Sequence, residues 1–247
     1  MIFENEESYP DSFLIGSSIL HGEISEDGTK IIAGFANTVE IIDVASKKVE
    51  NKVNVNGKIN DVKFGANGSY AAVTNKNVIC IHDGETHKDI ALPEEGNVVA
   101  IHHRTAYVGT KKGNLLVVDL DAGTVKTTLN ISSSKVTALV VGQIKKVLGV
   151  GSSNGLLSIF CLETSKLLSN DLKYHNMPIN TVSFNADDSM CLTGAHEKDV
   201  HLWDLNKLKH VNRFDNASRL CVNVLDWIDS SRFYCVGHDG SIKKYKF

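Results

Sequence analysis

Residues 175–204 read HNMPINTVSFNADDSMCLTGAHEKDVHLWD, and the punctuation of that run decides the fold. A short apolar strand ends at Phe184, nine residues after His175, and Asn185-Ala186-Asp187-Asp188 supplies a hairpin turn. A second strand carries Thr193-Gly194, the polar turn Glu197-Lys198-Asp199 follows, and a third strand ends in the dipeptide Trp203-Asp204. Asn, Asp and Gly favour turns because they tolerate left-handed or locally hydrogen-bonded backbone, whereas Val, Ile and aromatic residues fit a pleated surface. No window of a dozen residues carries an apolar stripe at helical spacing, so the chain reads as all-β.

Outward from this run the same punctuation returns. The dipeptides Ile42-Asp43, His82-Asp83, Val118-Asp119, Phe160-Cys161, Trp203-Asp204 and Tyr245-Lys246 end at intervals of 40, 36, 42, 43 and 42 residues. The anchors Ile24, Phe64, Phe184 and Trp227 lie 19 or 20 residues ahead of the dipeptide ends, and a fourth strand follows, as in Val125-Lys126-Thr127-Thr128-Leu129. Four strands in about 40 residues is the spacing of a propeller blade.

One such sheet buries neither face alone and leaves both edges unpaired, so the units must stack. The spacing predicts a single domain over residues 1–247, with repeats at about 17–56, 57–96, 97–134, 135–176, 177–217 and 218–247. The last repeat has room for only three strands. Residues 10–16 are expected to complete it and close a ring of six four-stranded blades, with seven blades as the alternative.

Composition narrows the function classes. The chain has 247 residues, 42% hydrophobic and 22% charged, with 26 Lys plus Arg against 29 Asp plus Glu. That is an ordinary globular balance, with no bulk charge to drive binding to nucleic acid or an anionic membrane. No apolar run approaches the ~20 residues that span a bilayer. The first residues are acidic where a secretory leader is basic, which predicts a cytoplasmic protein, or one that reaches the nucleus by diffusion. The five cysteines form no CxxC pair and read as small buried hydrophobes, and none of the ten histidines has a helical i, i+4 partner. His102-His103 are expected to point to opposite faces of a strand. No cofactor or metal is expected.

The run from His175 to Asp204 resembles a WD repeat. The resemblance implies a WD-repeat β-propeller and a hydrogen-bonded chain through His175, Thr193, Glu197 and Trp203, followed by Asp204. Glu197 stands where the family carries Asp, and its extra methylene predicts a loose linkage or none. The sixth repeat offers Asp239 at the turn and Tyr245 in the Trp position, with no matching His. More narrowly, residues 222–228 and 235–243 resemble the closing repeat of the actin-interacting protein 1 family, which implies actin and cofilin as partners and an association with the cytoskeleton.

Gly151-Ser152-Ser153-Asn154-Gly155 matches the G-x-S-x-G pattern of hydrolases, but its flanks read strand–turn–strand rather than strand–turn–helix. The expected function is therefore a noncatalytic, monomeric protein–protein interaction scaffold. Its partner is expected on rim loops that include Lys111, Lys112, Tyr174, His175, His196 and His238. The opposing expectation is a hydrolase-like propeller enzyme with a central-channel site. That would require convergent polar side chains from the innermost strands, which instead present residues such as Val62 and Val182.

Overall fold

The computed structural model describes residues 19, 21–25, 27–65, 68–82 and 86–247. The first sheet comprises β1 (His21–Ile24), β2 (Lys30–Gly34), β3 (Thr38–Asp43) and β4 (Lys48–Asn54). The second comprises β5 (Ile59–Phe64), β6 (Tyr70–Thr74), β7 (Val78–His82) and β8 (His87–Ala91). The third comprises β9 (Gly96–His102), β10 (Thr105–Thr110), β11 (Asn114–Asp119) and β12 (Thr124–Asn130), and the fourth β13 (Val136–Gly142), β14 (Val147–Ser152), β15 (Leu156–Cys161) and β16 (Lys166–Lys173). The fifth holds β17 (Ile179–Phe184), β18 (Met190–Ala195), β19 (Val200–Asp204) and β20 (Lys209–Phe214), and the sixth β21 (Val222–Trp227), β22 (Arg232–Gly237) and β23 (Ile242–Lys246). Strands pair antiparallel in chain order, giving five four-stranded sheets and one of three strands; no α-helix occurs among the described residues. The closing strand expected from residues 10–16 lies outside the described residues.

The chain divides into two compact units. One contains the described residues up to Lys111 together with Leu115–Leu129; the other contains Lys112–Asn114 and Asn130–Phe247. Within the first unit β1 packs on β5 and β5 on β9; within the second β13 packs on β17 and β17 on β21. The second strands of the first five sheets are mostly buried on both faces, as in Tyr70–Thr74 and Val147–Ser152, while the fourth strands are largely exposed. That explains why second strands read as unbroken apolar runs and fourth strands as mixed ones.

Two periodic devices join neighbouring sheets. A glycine late in the second strand leaves room for the first residue of the next sheet: a Cβ on Gly151 would stand 2.7 Å from Ile179 Cγ2, and one on Gly194 2.4 Å from Val222 Cγ1. An asparagine at the bulge of the first strand then reaches across. Asn60 Nδ2 donates to the Gly96 carbonyl at 2.7 Å and Asn180 Nδ2 to the Val222 carbonyl at 3.1 Å. Carboxylates add further ties. Asp61 accepts from Val99 N at 2.9 Å, and Asp188 accepts from Ile144 N at 2.7 Å and Lys145 N at 2.9 Å.

The dipeptide ends have a local role. Asp43 accepts from Ser46 N, Asp119 from Asp121 and Ala122 N, and Asp204 from Asn206 and Lys207 N, all within 3.0 Å. Each such turn then passes through a residue at positive φ: Lys47, Gly123 and Leu208. Cys161 takes the same place with sulphur. Its hydrogen bonds to Thr164 hold the thiol below its ordinary range, and Ser165 supplies the positive φ.

Candidate functional site

The fifth sheet contains a buried polar chain. Trp203 Nε1 donates to Thr193 Oγ1 at 2.9 Å, and Thr193 Oγ1 lies 2.9 Å from His175 Nε2. His175 Nδ1 meets Glu197 Oε1. The Glu197 carboxylate only accepts, so the neutral imidazole carries its proton on Nδ1, and the bare Nε2 takes the Thr193 hydroxyl proton. Burial lowers the His175 pKa, with Glu197 opposing the shift. The extra methylene of Glu197 does not break the linkage, since the turn between β18 and β19 places the carboxylate directly on the imidazole.

Around this chain gathers a ring cluster that spacing alone does not reveal. His201 Nδ1 and His210 Nε2 lie 2.9 Å apart, Tyr174 stacks on His210 at 4.1 Å and 10°, and Trp203 meets His210 edge-on at 5.3 Å. A register shift between Leu202 and Trp203 sets His210 opposite Trp203. Burial pushes the His201 pKa down to about 3, with the neighbouring His175, His210 and Arg213 acting in the same direction.

In the sixth sheet Ser218 stands on the loop position that His175 holds in the fifth. The Asp239 carboxylate accepts from Ser241 Oγ at 2.6 Å and Arg219 N at 2.9 Å, and with Ser218 these bonds hold it far below the ordinary carboxylate range. Tyr245, in the Trp position, stacks on Phe233 at 5.2 Å. The missing histidine is thus replaced by a buried hydroxyl, a substitution visible only once loop positions are aligned by the period.

Most rim residues expected to meet a partner are exposed. Tyr174, His196 and His238 are exposed in the second unit, as is Lys112 on the turn between β10 and β11; Lys111, in the first unit, pairs with Glu95 at 2.7 Å. His175 needs correction. It is 0% exposed, because both ring nitrogens are engaged within the sheet, so it cannot touch a partner. A second correction concerns His102 and His103. His103 turns out of the strand at φ 52°, and the two rings meet at 4.1 Å instead of facing apart.

Among the described residues, two side-chain groups bring three metal-type donors within 4.8 Å of one another: Cys80, His87 and Asp89 in the second sheet, and His175, Glu197 and His201 in the fifth. The G-x-S-x-G run forms the hairpin between β14 and β15. Its central Ser153 sits on a turn between two antiparallel strands, its N–H donating to the Lys135 carbonyl at 2.8 Å, so no strained strand-to-helix turn lifts a serine nucleophile there.

Successive antiparallel sheets with a His–Thr–Trp chain inside one define the WD-repeat β-propeller class. The family described as Nucleolar protein 10-like, N-terminal domain, matches residues 69–246, and the chain belongs to that family. Among curated proteins, COMPASS component SWD1 of Saccharomyces cerevisiae is 32% identical over 96 residues, 36% of this chain and 21% of that protein. The 66 kDa stress protein of Physarum polycephalum is 22% identical over 178 residues, 70% of this chain and 30% of that protein. The matches thus span under a third of either relative. The crystal structure of the computationally designed Ika8 protein superposes with a TM-score of 0.79 at 17% identity, covering 94% of this chain and 71% of that one, which shows likeness of fold alone. None of these relatives is named for actin or cofilin. WD-repeat propellers serve in general as protein-interaction scaffolds, and this chain is of that class.

Proposed function

We propose that this chain is a noncatalytic platform that docks a protein partner on the loops leading into its fifth and sixth sheets. Tyr174 carries the proposal. It is 57% exposed, yet its ring is held by His210 and lies edge-on to Trp203 at 5.6 Å. A large side chain already fixed loses little freedom when covered, and Tyr, Met and Arg are the residues that interfaces enrich. Met177 stands on the same loop, and Arg219 and Leu220 on the loop before β21, with Leu220 57% exposed.

The name of COMPASS component SWD1 marks it as part of an assembly, which supports a subunit role for this chain. The test is native purification of tagged full chain, wild type against Tyr174→Ala and Leu220→Asp. A stoichiometric partner recovered with wild type and reduced at least about tenfold with either variant supports the proposal. Equal recovery with all three, or a chain that always purifies alone as a monomer, contradicts it. On the narrower version the partner is actin with cofilin, supported by the closing-repeat resemblance; co-sedimentation with cofilin-decorated filaments is then expected. Imaging of a tagged chain distinguishes the cytoplasmic location expected from the sequence from the nucleolar one suggested by the family description.

The enzymatic alternative has weaker support. A cavity of about 450 Å³ in the first unit is lined by Ile81, Ile101 and Leu120 together with polar groups that include Ser69 and His103, and its Arg104 is paired to Asp121.

A further inference from the structure

We propose that the second sheet carries a binding site for a divalent transition metal of the zinc class, formed by Cys80, His87 and Asp89. The register of β7 on β8 sets Cys80 directly opposite Asp89 and His82 directly opposite His87. Side chains two residues apart on a strand share a face. Three ligand types that zinc favours are therefore brought together on one face by a hairpin. Their donor atoms lie within 4.8 Å of one another, and His87 Nε2 is 3.0 Å from Asp89 Oδ1. Tetrahedral zinc with bonds of roughly 2.0–2.3 Å needs donors roughly 3.2–3.6 Å apart, a spacing that side-chain adjustment alone can reach. Cys80 forms the buried floor, while His87 and Asp89 are partly exposed. The ion can thus arrive from solvent and keep water as its fourth ligand.

An independent observation points to the same place. Tyr70 is 1% exposed, its hydroxyl has no hydrogen-bond partner among the described residues, and its ring stacks on His82 at 5.1 Å, on the face that carries Cys80. Few buried hydroxyls go unpaired, and each calls for a missing neighbour or ion. In the metal-free protein the Cys80 thiol gives its proton to a hydrogen bond with Asp89, and burial pushes the thiol up to about 12. A neutral thiol is a poor acceptor. Metal binding forms the metal–sulphur bond and releases the thiol proton to solvent, leaving a thiolate, which accepts strongly. Tyr70 stands diagonal to Cys80 on one face of the β6–β7 ladder, so the thiolate would offer the phenol the acceptor it lacks. The other three-donor group differs. Both nitrogens of His175 are already bound to Glu197 and Thr193, and a metal there would have to break that chain.

The test uses full-length chain stripped with a chelator and titrated with Co²⁺, then with Zn²⁺ as competitor. One Co²⁺ per chain is expected, with a sulphur-to-cobalt charge-transfer absorption that Zn²⁺ abolishes. His87→Ala and Asp89→Asn lie at exposed positions and should fold; each is expected to weaken binding by at least about tenfold, the loss that even an outer partner can cause. Cys80→Ser should remove the charge-transfer band. Tyr70→Phe should weaken binding without lowering the melting temperature of the metal-free protein, which a purely structural hydroxyl would not do. Absence of the band in wild type, its persistence in Cys80→Ser and His87→Ala, or loss of binding in His201→Gln instead would overturn the proposal.

Discussion

The indole Nε1 of Trp203 donates to the Thr193 hydroxyl across 2.9 Å, with both side chains removed from water. Because the same hydroxyl serves His175, one oxygen satisfies two buried ring nitrogens. Thr193→Val keeps the shape and removes the oxygen. It leaves both nitrogens unpaired and is expected to destabilise the chain by about 2–4 kcal/mol. Thr193→Ser keeps the hydroxyl and loses a methyl, at about 1 kcal/mol. Urea unfolding of the pair checks the contrast, and equal midpoints would contradict it.

Acid should unfold the second unit through its histidines. Burial pushes the His201 pKa down to about 3 and lowers those of His175 and His210. An unfolded histidine titrates near 6.5. Between about 6.5 and 3 the unfolded chain therefore binds more protons, so these groups stabilise fully above that range and progressively less as pH falls through it. Asp61 acts oppositely. Burial raises its pKa to about 6, so the folded state keeps a proton that an unfolded Asp releases near 3.9, and stability from this source is lost as pH rises between those values. Unfolding free energy measured against pH should therefore show a shallower acid limb in His201→Gln and a steeper one in Asp61→Asn.

Sheet spacing depends on glycine. A Cβ on Gly194 would meet Val222 Cγ1 at 2.4 Å and Val222 Cβ at 2.8 Å. Gly194→Ala must push the sixth sheet from the fifth, at about 1–3 kcal/mol. A denaturation midpoint unchanged from wild type would show that the sheets do not approach as described.

Asp188 tests the polar tie between the fourth and fifth sheets. It is buried at φ 54° and takes two backbone N–H groups from Ile144 and Lys145. Asp188→Ala strands both donors and forces alanine into the left-handed region, so a loss of about 2–4 kcal/mol is expected. Asp188→Asn keeps an acceptor and tolerates that backbone, so a clearly smaller loss is expected in the same unfolding assay.

Much of the fold is legible in the chain because the period is written in side chains. The turn-capping Asp43, Asp119 and Asp204 and the paired motifs at Asn60 and Asn180 recur at the repeat length. Contacts that depend on register are not legible. His201 and His210 meet because a bulge after Leu202 shifts β20, and Cys80 meets Asp89 because the hairpin sets them opposite. Neither spacing matches a known motif. Ser218 hides for another reason: a hydroxyl bonded to Asp239 stands where the fifth sheet has an imidazole, so a search for histidine passes over it.

The Trp203 indole proton reports on whether a buried chain holds the loop that presents Tyr174. Hydrogen exchange followed by nuclear magnetic resonance on full-length chain should show this proton protected at least about hundredfold over a free indole, in line with opening that costs several kcal/mol. In Thr193→Val that protection should fall, together with protection of the His175 and Asn176 amides. Exchange at the free-indole rate in wild type, or no change at the loop in the variant, would contradict the buried chain as the loop's anchor.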